Sequence, residues 1–167
     1  EIVNKGIHFF LQGGRIFPHL TVEENLDFAG SGLSNKELSK RKKMVMAYFD
    51  IFSRNRLKAS FLSGGEQQQL ALAMVILKKP RLLILDEPSA GLNPINISKI
   101  YSILREVLIL NNVGMILVEQ NLEAMLPLAN KVCILKLGVF SNIFIGNDMD
   151  SSYQKIENAF LSGKRLF

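Results

Sequence analysis

The sequence has few of the residues that mark disulfide-bonded or membrane-spanning proteins. Its 167 residues include one cysteine, Cys133, and no tryptophan. One cysteine excludes an internal disulfide framework and is typical of a reducing compartment. Because the neighbours of Cys133 are apolar, we expect it to be a small buried core residue. Apolar runs such as Leu70–Leu77 are far shorter than the ~20 residues that cross a bilayer.

The charge of the chain is moderately basic. The formal net charge is +5, while apolar residues make up 48% and charged residues 21%, as in many globular domains. A basic block can indicate nucleic acid or an anionic membrane surface. An apolar stripe beside this block favours a solvated helix face, and no pattern of an RNA-binding module accompanies it, so we expect no nucleic-acid partner. The block consists of Lys36, Lys40, Arg41, Lys42, Lys43, Arg54, Arg56 and Lys58.

The order of apolar and polar segments predicts an α/β fold with a mostly parallel sheet. Strands that alternate with helices of this length imply right-handed crossovers between parallel strands. A polar tail over residues 148–167 contains one short amphipathic helix near Ile156. The predicted strands are Ile7–Leu11, Leu82–Leu85, Met115–Val118 and Val132–Leu137, and the predicted helices are Val22–Phe28, Asn35–Ser53, Ser63–Leu77, Ile97–Leu110 and Leu122–Ala129.

Two adjacent carboxylates follow the apolar strand Leu82–Leu85. Ligands bind at the carboxyl ends of strands in open α/β sheets, so Asp86 is positioned to hold Mg²⁺ directly or through water. Glu87 has left the strand and is placed to polarise a water molecule for attack on a γ-phosphate. Taken alone, the pair is equally compatible with a plain exit from strand to turn.

A second motif, Ser63-Gly64-Gly65-Glu66, opens the predicted helix that ends at Leu77. Ser63 and Glu66 form a capping box on sequence alone. Two consecutive glycines are unfavourable in a helix, at up to ~1 kcal/mol each. Glycine is useful where a ligand approaches the backbone, and helix N-termini attract phosphate groups. The motif therefore indicates a helix start that also serves a phosphate.

Taken in order, these motifs resemble those of the ATP-binding-cassette (ABC) ATPases. Residues 62–67 match the family signature, and Leu82–Glu87 matches its Mg²⁺-binding strand with the adjacent catalytic glutamate. Ala90–Asn93 matches the loop that crosses the dimer interface, with Asn93 where many members have aspartate. Gln12 matches the glutamine that senses Mg²⁺ and the membrane partner.

A narrower resemblance concerns residues 15–26, 117–121 and 159–163, which look like importers of branched-chain amino acids and their urea or amide relatives. It implies a subunit that couples ATP hydrolysis to membrane import of small solutes. The implied location is peripheral, on the cytoplasmic face of the inner membrane. The implied partners are transmembrane permease subunits and a second ABC ATPase subunit, identical or paralogous.

The resemblance also implies roles at a site for ATP and Mg²⁺. Glu87 orients the attacking water and Gln120 acts with it, while Asp86 and Gln12 serve the metal. Gln12 and Gln120 also sense the phosphate. The signature of one subunit covers the nucleotide held by the other, and the residues on that nucleotide-binding side are Gln12, Ser63, Gly64, Gly65, Glu66 and Asn93.

Two features depart from the family pattern. Gln120 stands where most members carry histidine, and a neutral amide donates a hydrogen bond but carries no positive charge. A phosphate loop needs Gly, four residues and then Gly-Lys-Ser/Thr, but Gly163-Lys164 is followed by Arg165. We therefore expect a P-loop NTPase fold that lacks its N-terminal strands and phosphate loop, and weak ATP binding by this chain alone.

The pattern predicts four regions and leaves other functions open. Residues 1–24 are expected to be a remnant of the catalytic core with the glutamine loop, 25–62 a helical subdomain, 63–147 the second half of the core and 148–167 a C-terminal tail. The chain is expected to be the C-terminal part of a longer protein or a gene remnant. One alternative is a catalytically silent remnant that only binds partner subunits. Another, a cassette-type ATPase of DNA repair, chromosome maintenance or translation, is disfavoured because two short helices leave no room for a coiled-coil arm.

Overall fold

A computed structural model of the chain describes residues 5–145 and 153–161. The chain divides into two compact units, Glu1–Gln120 and Asn121–Phe167. The first unit contains β1 (Ile7–Phe10), α1 (Val22–Ala29), α2 (Asn35–Met46), 3-10 turns at Asp50–Arg54 and Ala59–Phe61, α3 (Gly64–Leu77), β2 (Leu82–Asp86), α4 (Pro94–Asn111) and β3 (Gly114–Val118). The second contains α5 (Leu122–Met125), a 3-10 turn at Leu126–Leu128, β4 (Lys131–Lys136), β5 (Val139–Ile145) and α6 (Tyr153–Leu161).

The three strands of the first unit form a parallel sheet in the order β1-β2-β3. The central strand β2 pairs Leu85 with Phe10 on one side and Asp86 with Val118 on the other. Helices α1, α2 and α3 connect β1 to β2, and α4 connects β2 to β3. The predicted α/β class with a mostly parallel sheet is confirmed. All three strands end at the same edge of the sheet, as parallel pairing requires.

Helix α3 lies at the centre of the first unit. It packs against α1, α2, α4 and β1. Its side chains at Leu70, Leu72 and Leu77 are fully buried, and only Met74 and Val75 are half-buried among its apolar residues. A helix that is apolar on every side belongs in an interior, as its sequence predicts.

Helix α2 is shorter than predicted. It ends at Met46 rather than Ser53, and the chain passes through the extended Phe49 into a 3-10 turn. Phe49, Ile51 and Phe52 are all buried. On a continuous α-helix, residues 49 and 51 point about 200° apart, so both cannot face one core. The break after Met46 lets all three side chains pack inward.

Two other helices differ from their predicted bounds for local reasons. Helix α4 begins at Pro94, three residues before the prediction, because Asn93 caps it and proline suits the first helical position. Helix α5 ends at Met125, and Pro127 continues the chain as a 3-10 turn. A proline inside an α-helix lacks the N–H and clashes with the preceding turn.

The second unit contains an antiparallel hairpin, of which only the first strand is predicted from the sequence. Strands β4 and β5 pair across Lys136 and Val139, with Leu137 and Gly138 between them at φ 46° and 80°. Two central residues with positive φ form the turn that suits hairpin twist. Helix α6 confirms the amphipathic helix near Ile156, but residues 146–152 and 162–167 of the predicted tail lie outside the described residues.

The prediction that Cys133 is buried is wrong. Val132 and Ile134 are buried, whereas Cys133 between them is exposed. Successive side chains of a strand point to opposite faces, and β4 has one buried face. Apolar neighbours in sequence therefore do not imply burial of the residue between them.

Part of the basic block is paired within the first unit. The Lys42 ammonium lies 2.9 Å from Glu23 and 2.8 Å from Asp27. The guanidinium of Arg41 bonds Glu37 at 2.7 Å and the carbonyl oxygen of Lys78 at 3.0 Å. Within residues 5–145 and 153–161, no helix has the length and hydrophobicity needed to cross a membrane.

Helix α1 is anchored at its first turns. Thr21 and Glu24 form the predicted capping box, with both reciprocal hydrogen bonds present. The fully buried Asn25 holds the preceding loop: its Oδ1 accepts from the N–H of Phe17 at 2.8 Å, and its Nδ2 donates to the carbonyls of Phe17 and Thr21 at 3.0 and 2.9 Å. One amide thus fixes the path of the chain into α1.

We expect Asn25→Ala to lower the unfolding free energy by about 2–4 kcal/mol. The backbone groups of Phe17 and Thr21 would lose their hydrogen bonds to the buried amide, where water does not readily replace them. Chemical denaturation of the chain measures the change. The matched control is Asn35→Ala at the exposed start of α2, for which a change within about 0.5 kcal/mol is expected. Equal effects of the two substitutions would contradict this account of Asn25.

Candidate functional site

The carboxylate of Glu87 is held between the side-chain amides of two glutamines. Nε2 of Gln12 donates to Oε2 at 2.8 Å, and Nε2 of Gln120 donates to Oε1. Glu87 directly follows β2, and the two glutamines stand two residues beyond the ends of β1 and β3. Parallel pairing therefore brings together three predicted residues that are far apart in the sequence.

The backbone at Glu87 is in an unfavourable conformation. Its φ is 45°, in the left-handed region that side chains other than glycine rarely adopt. Its N–H donates to the carbonyl oxygen of Val118 at 2.9 Å, which extends the pairing of β2 and β3 by one bond. Such conformations cost of order 1–3 kcal/mol and persist where the surroundings fix them, often at functional sites.

Asp86 is the last residue of β2 and is exposed at the same edge. Its carboxylate and the amide oxygen of Gln12 are hard oxygen donors of the kind that suit Mg²⁺. Within residues 5–145 and 153–161 there is no group of three or more His, Cys, Asp or Glu side chains arranged to hold a metal. Mg²⁺ usually keeps several waters and takes further ligands from phosphates, so two oxygen donors at an exposed edge suit it.

The sequence did not predict the hydrogen bonds that hold the segments next to Glu87 and Gln120. The Glu119 carboxylate accepts hydrogen bonds from the hydroxyls of Ser89 and Tyr101, at 2.8 and 2.7 Å. Burial and the bond to Glu119 raise the pKa of Tyr101. Nε2 of Gln68 donates to the carbonyl of Pro88. The only signal in the sequence was that Glu119 precedes Gln120, which does not identify its partners.

The start of α3 has the predicted capping box. The hydroxyl of Ser63 donates to Oε2 of Glu66 at 2.8 Å, and the N–H of Ser63 donates to the same oxygen at 2.9 Å. These bonds, aided by Arg54 at 3.2 Å, hold the pKa of Glu66 below its ordinary value. The ionised side chain of Glu66 thus holds the first turn of the helix in place.

The two glycines of this turn have different surroundings. A Cβ on Gly64 would meet nothing within 4 Å, so a small side chain has room at this position. A Cβ on Gly65 would lie 2.5 Å from Nδ2 of Asn96 and 3.6 Å from Leu92. Asn96 belongs to the first turn of α4, whose N-cap Asn93 accepts its N–H at 2.9 Å. A side chain at position 65 would therefore have to displace the amide end of Asn96 where α3 packs on α4.

The predicted site residues thus form two groups. Gln12, Glu87 and Gln120 are joined by hydrogen bonds, with Asp86 adjacent in the chain. The second group consists of Ser63, Gly64, Gly65 and Glu66 at the start of α3, together with Asn93. Asn93 is connected to this turn by Asn96, whose N–H it accepts and whose side chain lies against Gly65. A direct link between the groups runs through α3, since Gln68 in its second turn bonds the residue that follows Glu87.

Comparisons with known proteins identify the family of the chain. The profile of the ABC transporter family matches residues 1–90. The chain is 37% identical over 163 residues to the high-affinity branched-chain amino acid transport ATP-binding protein BraG of Pseudomonas aeruginosa, covering 97% of this chain and 69% of BraG. The chain belongs to the ABC transporter ATPase family.

Further relatives of this ABC ATPase chain agree with that assignment. It is 34% identical over 137 residues to the probable branched-chain amino acid transport ATP-binding protein LivF of Archaeoglobus fulgidus, covering 80% of this chain and 57% of LivF. A dimeric ATP-binding cassette solved in a post-hydrolysis state with ADP and phosphate has the same fold. The TM-score is 0.71 at 23% identity, covering 86% of this chain and 64% of that one.

We expect Gly64→Ala and Gly65→Ala to differ in their effect on the stability of this ABC ATPase chain. Gly64→Ala should raise the unfolding free energy by about 0.4–1 kcal/mol, because alanine reduces the entropy of the unfolded chain. Gly65→Ala should lower it by up to about 1 kcal/mol, because the new methyl group must displace the amide end of Asn96. Denaturation curves measure both.

The double variant Gly65→Ala/Asn96→Ala provides the control. Removing the Asn96 side chain makes room for the methyl group, so the cost of Gly65→Ala should fall in that background. A cost that stays the same in both backgrounds would exclude Asn96 as the reason for glycine at this position.

Proposed function

We propose that this chain supplies part of the ATP-hydrolysing subunit of an ABC importer of small solutes such as branched-chain amino acids. The proposal of ATP hydrolysis rests on the Glu87 carboxylate. Two glutamines hold this carboxylate at the carboxyl ends of the parallel strands. A fixed, exposed carboxylate at this edge can orient a water molecule and accept its proton. The similarity to BraG and LivF supports the amino-acid part.

The proposed substrate is ATP with Mg²⁺. Asp86 and Gln12 would hold the metal ion, and the bound ion would neutralise charge on the phosphates. Gln120 keeps one carboxylate oxygen of Glu87 in place through its Nε2. In this role a neutral glutamine fixes geometry by hydrogen bonding rather than by charge.

The start of α3 is proposed to serve a nucleotide held by a second ABC ATPase subunit. Ser63 and Gly64 are exposed there, and amides at a helix N-terminus favour phosphate oxygens. Glu66 and Gly65 shape this turn, the first by capping it and the second by admitting Asn96. Asn93 caps the next helix at the same surface.

The four regions predicted from the sequence complete the proposal. Residues 1–24 and 63–147 belong to the catalytic core, 25–62 form a helical subdomain, and 148–167 form a tail. The segment from Phe17 to about Arg56 would meet transmembrane permease subunits. The protein would act at the cytoplasmic face of the inner membrane, bound through the permease. A second candidate is a catalytically silent remnant that only binds partner subunits.

Joining a phosphate-loop segment of a complete ABC ATPase to this chain tests the proposal. We expect Mg²⁺-dependent ATP hydrolysis by the joined protein, and a loss of at least about a hundredfold in kcat for Glu87→Gln with ATP binding retained. Phosphate release measures the first and equilibrium binding of a fluorescent ATP analogue measures the second. The chain alone should bind ATP weakly.

The matched control is Glu106→Gln, which removes an exposed carboxylate on α4 away from the strand ends and should leave kcat unchanged. A joined protein that binds ATP but does not hydrolyse it would favour the silent remnant. Unchanged turnover in Glu87→Gln would remove Glu87 from the catalytic role.

A further inference from the structure

The carboxylate of Glu119 connects three parts of the first unit. Its Oε2 accepts from the hydroxyl of Ser89 at 2.8 Å and from the hydroxyl of Tyr101 at 2.7 Å. Its Oε1 accepts from the backbone N–H of Gln120 at 2.8 Å. Ser89 stands two residues after Glu87, and Tyr101 lies on α4. One side chain therefore joins the turn after Glu87, a core helix and the backbone of Gln120.

The hydrogen bonds at this junction suit an ionised carboxylate. The backbone N–H of Gln120 can only donate, and the hydroxyls of Ser89 and Tyr101 are placed as donors to Oε2, so both oxygens at position 119 act as acceptors. Ser89 and Tyr101 are 5% and 6% exposed, so water does not readily replace a lost bond. Burial and the bond to Glu119 raise the pKa of Tyr101, which keeps its hydroxyl protonated as a donor.

We propose that Glu119 is a positioning residue that keeps the side chain of Gln120 against Glu87. Gln120 itself is exposed, and its side chain reaches the Glu87 carboxylate from a backbone that Glu119 anchors. The N–H of Glu87 is bonded to Val118 on the same segment, and Ser89 joins that segment through Glu119. The importance of the contact between Gln120 and Glu87 for ATP hydrolysis rests on the proposed function. The presence of that contact does not.

Glutamine at position 119 is the sharpest test, because it keeps the shape of the side chain and replaces one acceptor oxygen by a donor. Either the N–H of Gln120 then faces an NH2 group, or the hydroxyls of Ser89 and Tyr101 must both turn to accept from that group instead of donating. In the isotopically labelled 167-residue chain, we expect Glu119→Gln to speed solvent exchange of the Gln120 side-chain amide about tenfold, as measured by NMR. The side-chain amide of Gln12, which bonds the other oxygen of Glu87, should change less.

The control is Glu106→Gln, an exposed substitution on α4 that should leave exchange at Gln120 unchanged. If Glu119→Gln does not fold, Tyr101→Phe decides instead, since it removes one donor and should also speed exchange at Gln120. The proposal would be overturned if the exchange rate of the Gln120 side-chain amide in the variant that is measured stayed within twofold of the rate in the unsubstituted chain. A lower thermal stability of that variant would not change this conclusion. Because this readout needs no nucleotide, it stands apart from any failure to detect ATP hydrolysis.

Discussion

The parallel register of β2 between β1 and β3 is the constraint on which the candidate site depends. Parallel strands end at the same edge, so the residues that follow them meet even when they are distant in the chain. Gln12, Glu87 and Gln120 gain their mutual contacts only through this pairing. A one-residue slip of either neighbouring strand would turn its glutamine away from the Glu87 carboxylate.

The site also depends on helix α3, which links the two groups of residues. Its apolar body occupies the core, its N-terminal turn carries Ser63 and Gly64, and Gln68 bonds the carbonyl of Pro88 beside Glu87. Close packing of Gly65 on Asn96 brings α4 against the same turn. Protein interiors are close-packed. A shift of α3 would therefore displace both the strained backbone of Glu87 and the residues at the start of α3.

Local chemistry accounts for the predictions that held, whereas tertiary packing accounts for several that did not. Capping boxes at Thr21 and Ser63 involve residues three apart, so they are readable without knowledge of the fold. The end of α2 depends on which of Phe49, Ile51 and Phe52 reach the core, and that is a property of the packed molecule. Exposure of Cys133 likewise depends on which face of β4 is covered.

By itself, the sequence determined the α/β class, the strand that ends in Asp86 and Glu87, and the glycine-containing helix start, because each follows from short-range periodicity and turn chemistry. It also indicated Gln12 and Gln120 through motif order. Only the tertiary structure decided that both glutamines bond the same carboxylate, that Gly65 makes room for Asn96, and that Glu119 anchors Gln120 to Ser89 and Tyr101. Apart from the bond between the neighbours Glu119 and Gln120, these contacts join residues 18 to 75 positions apart. Their geometry arises from strand pairing and side-chain packing that no local pattern encodes.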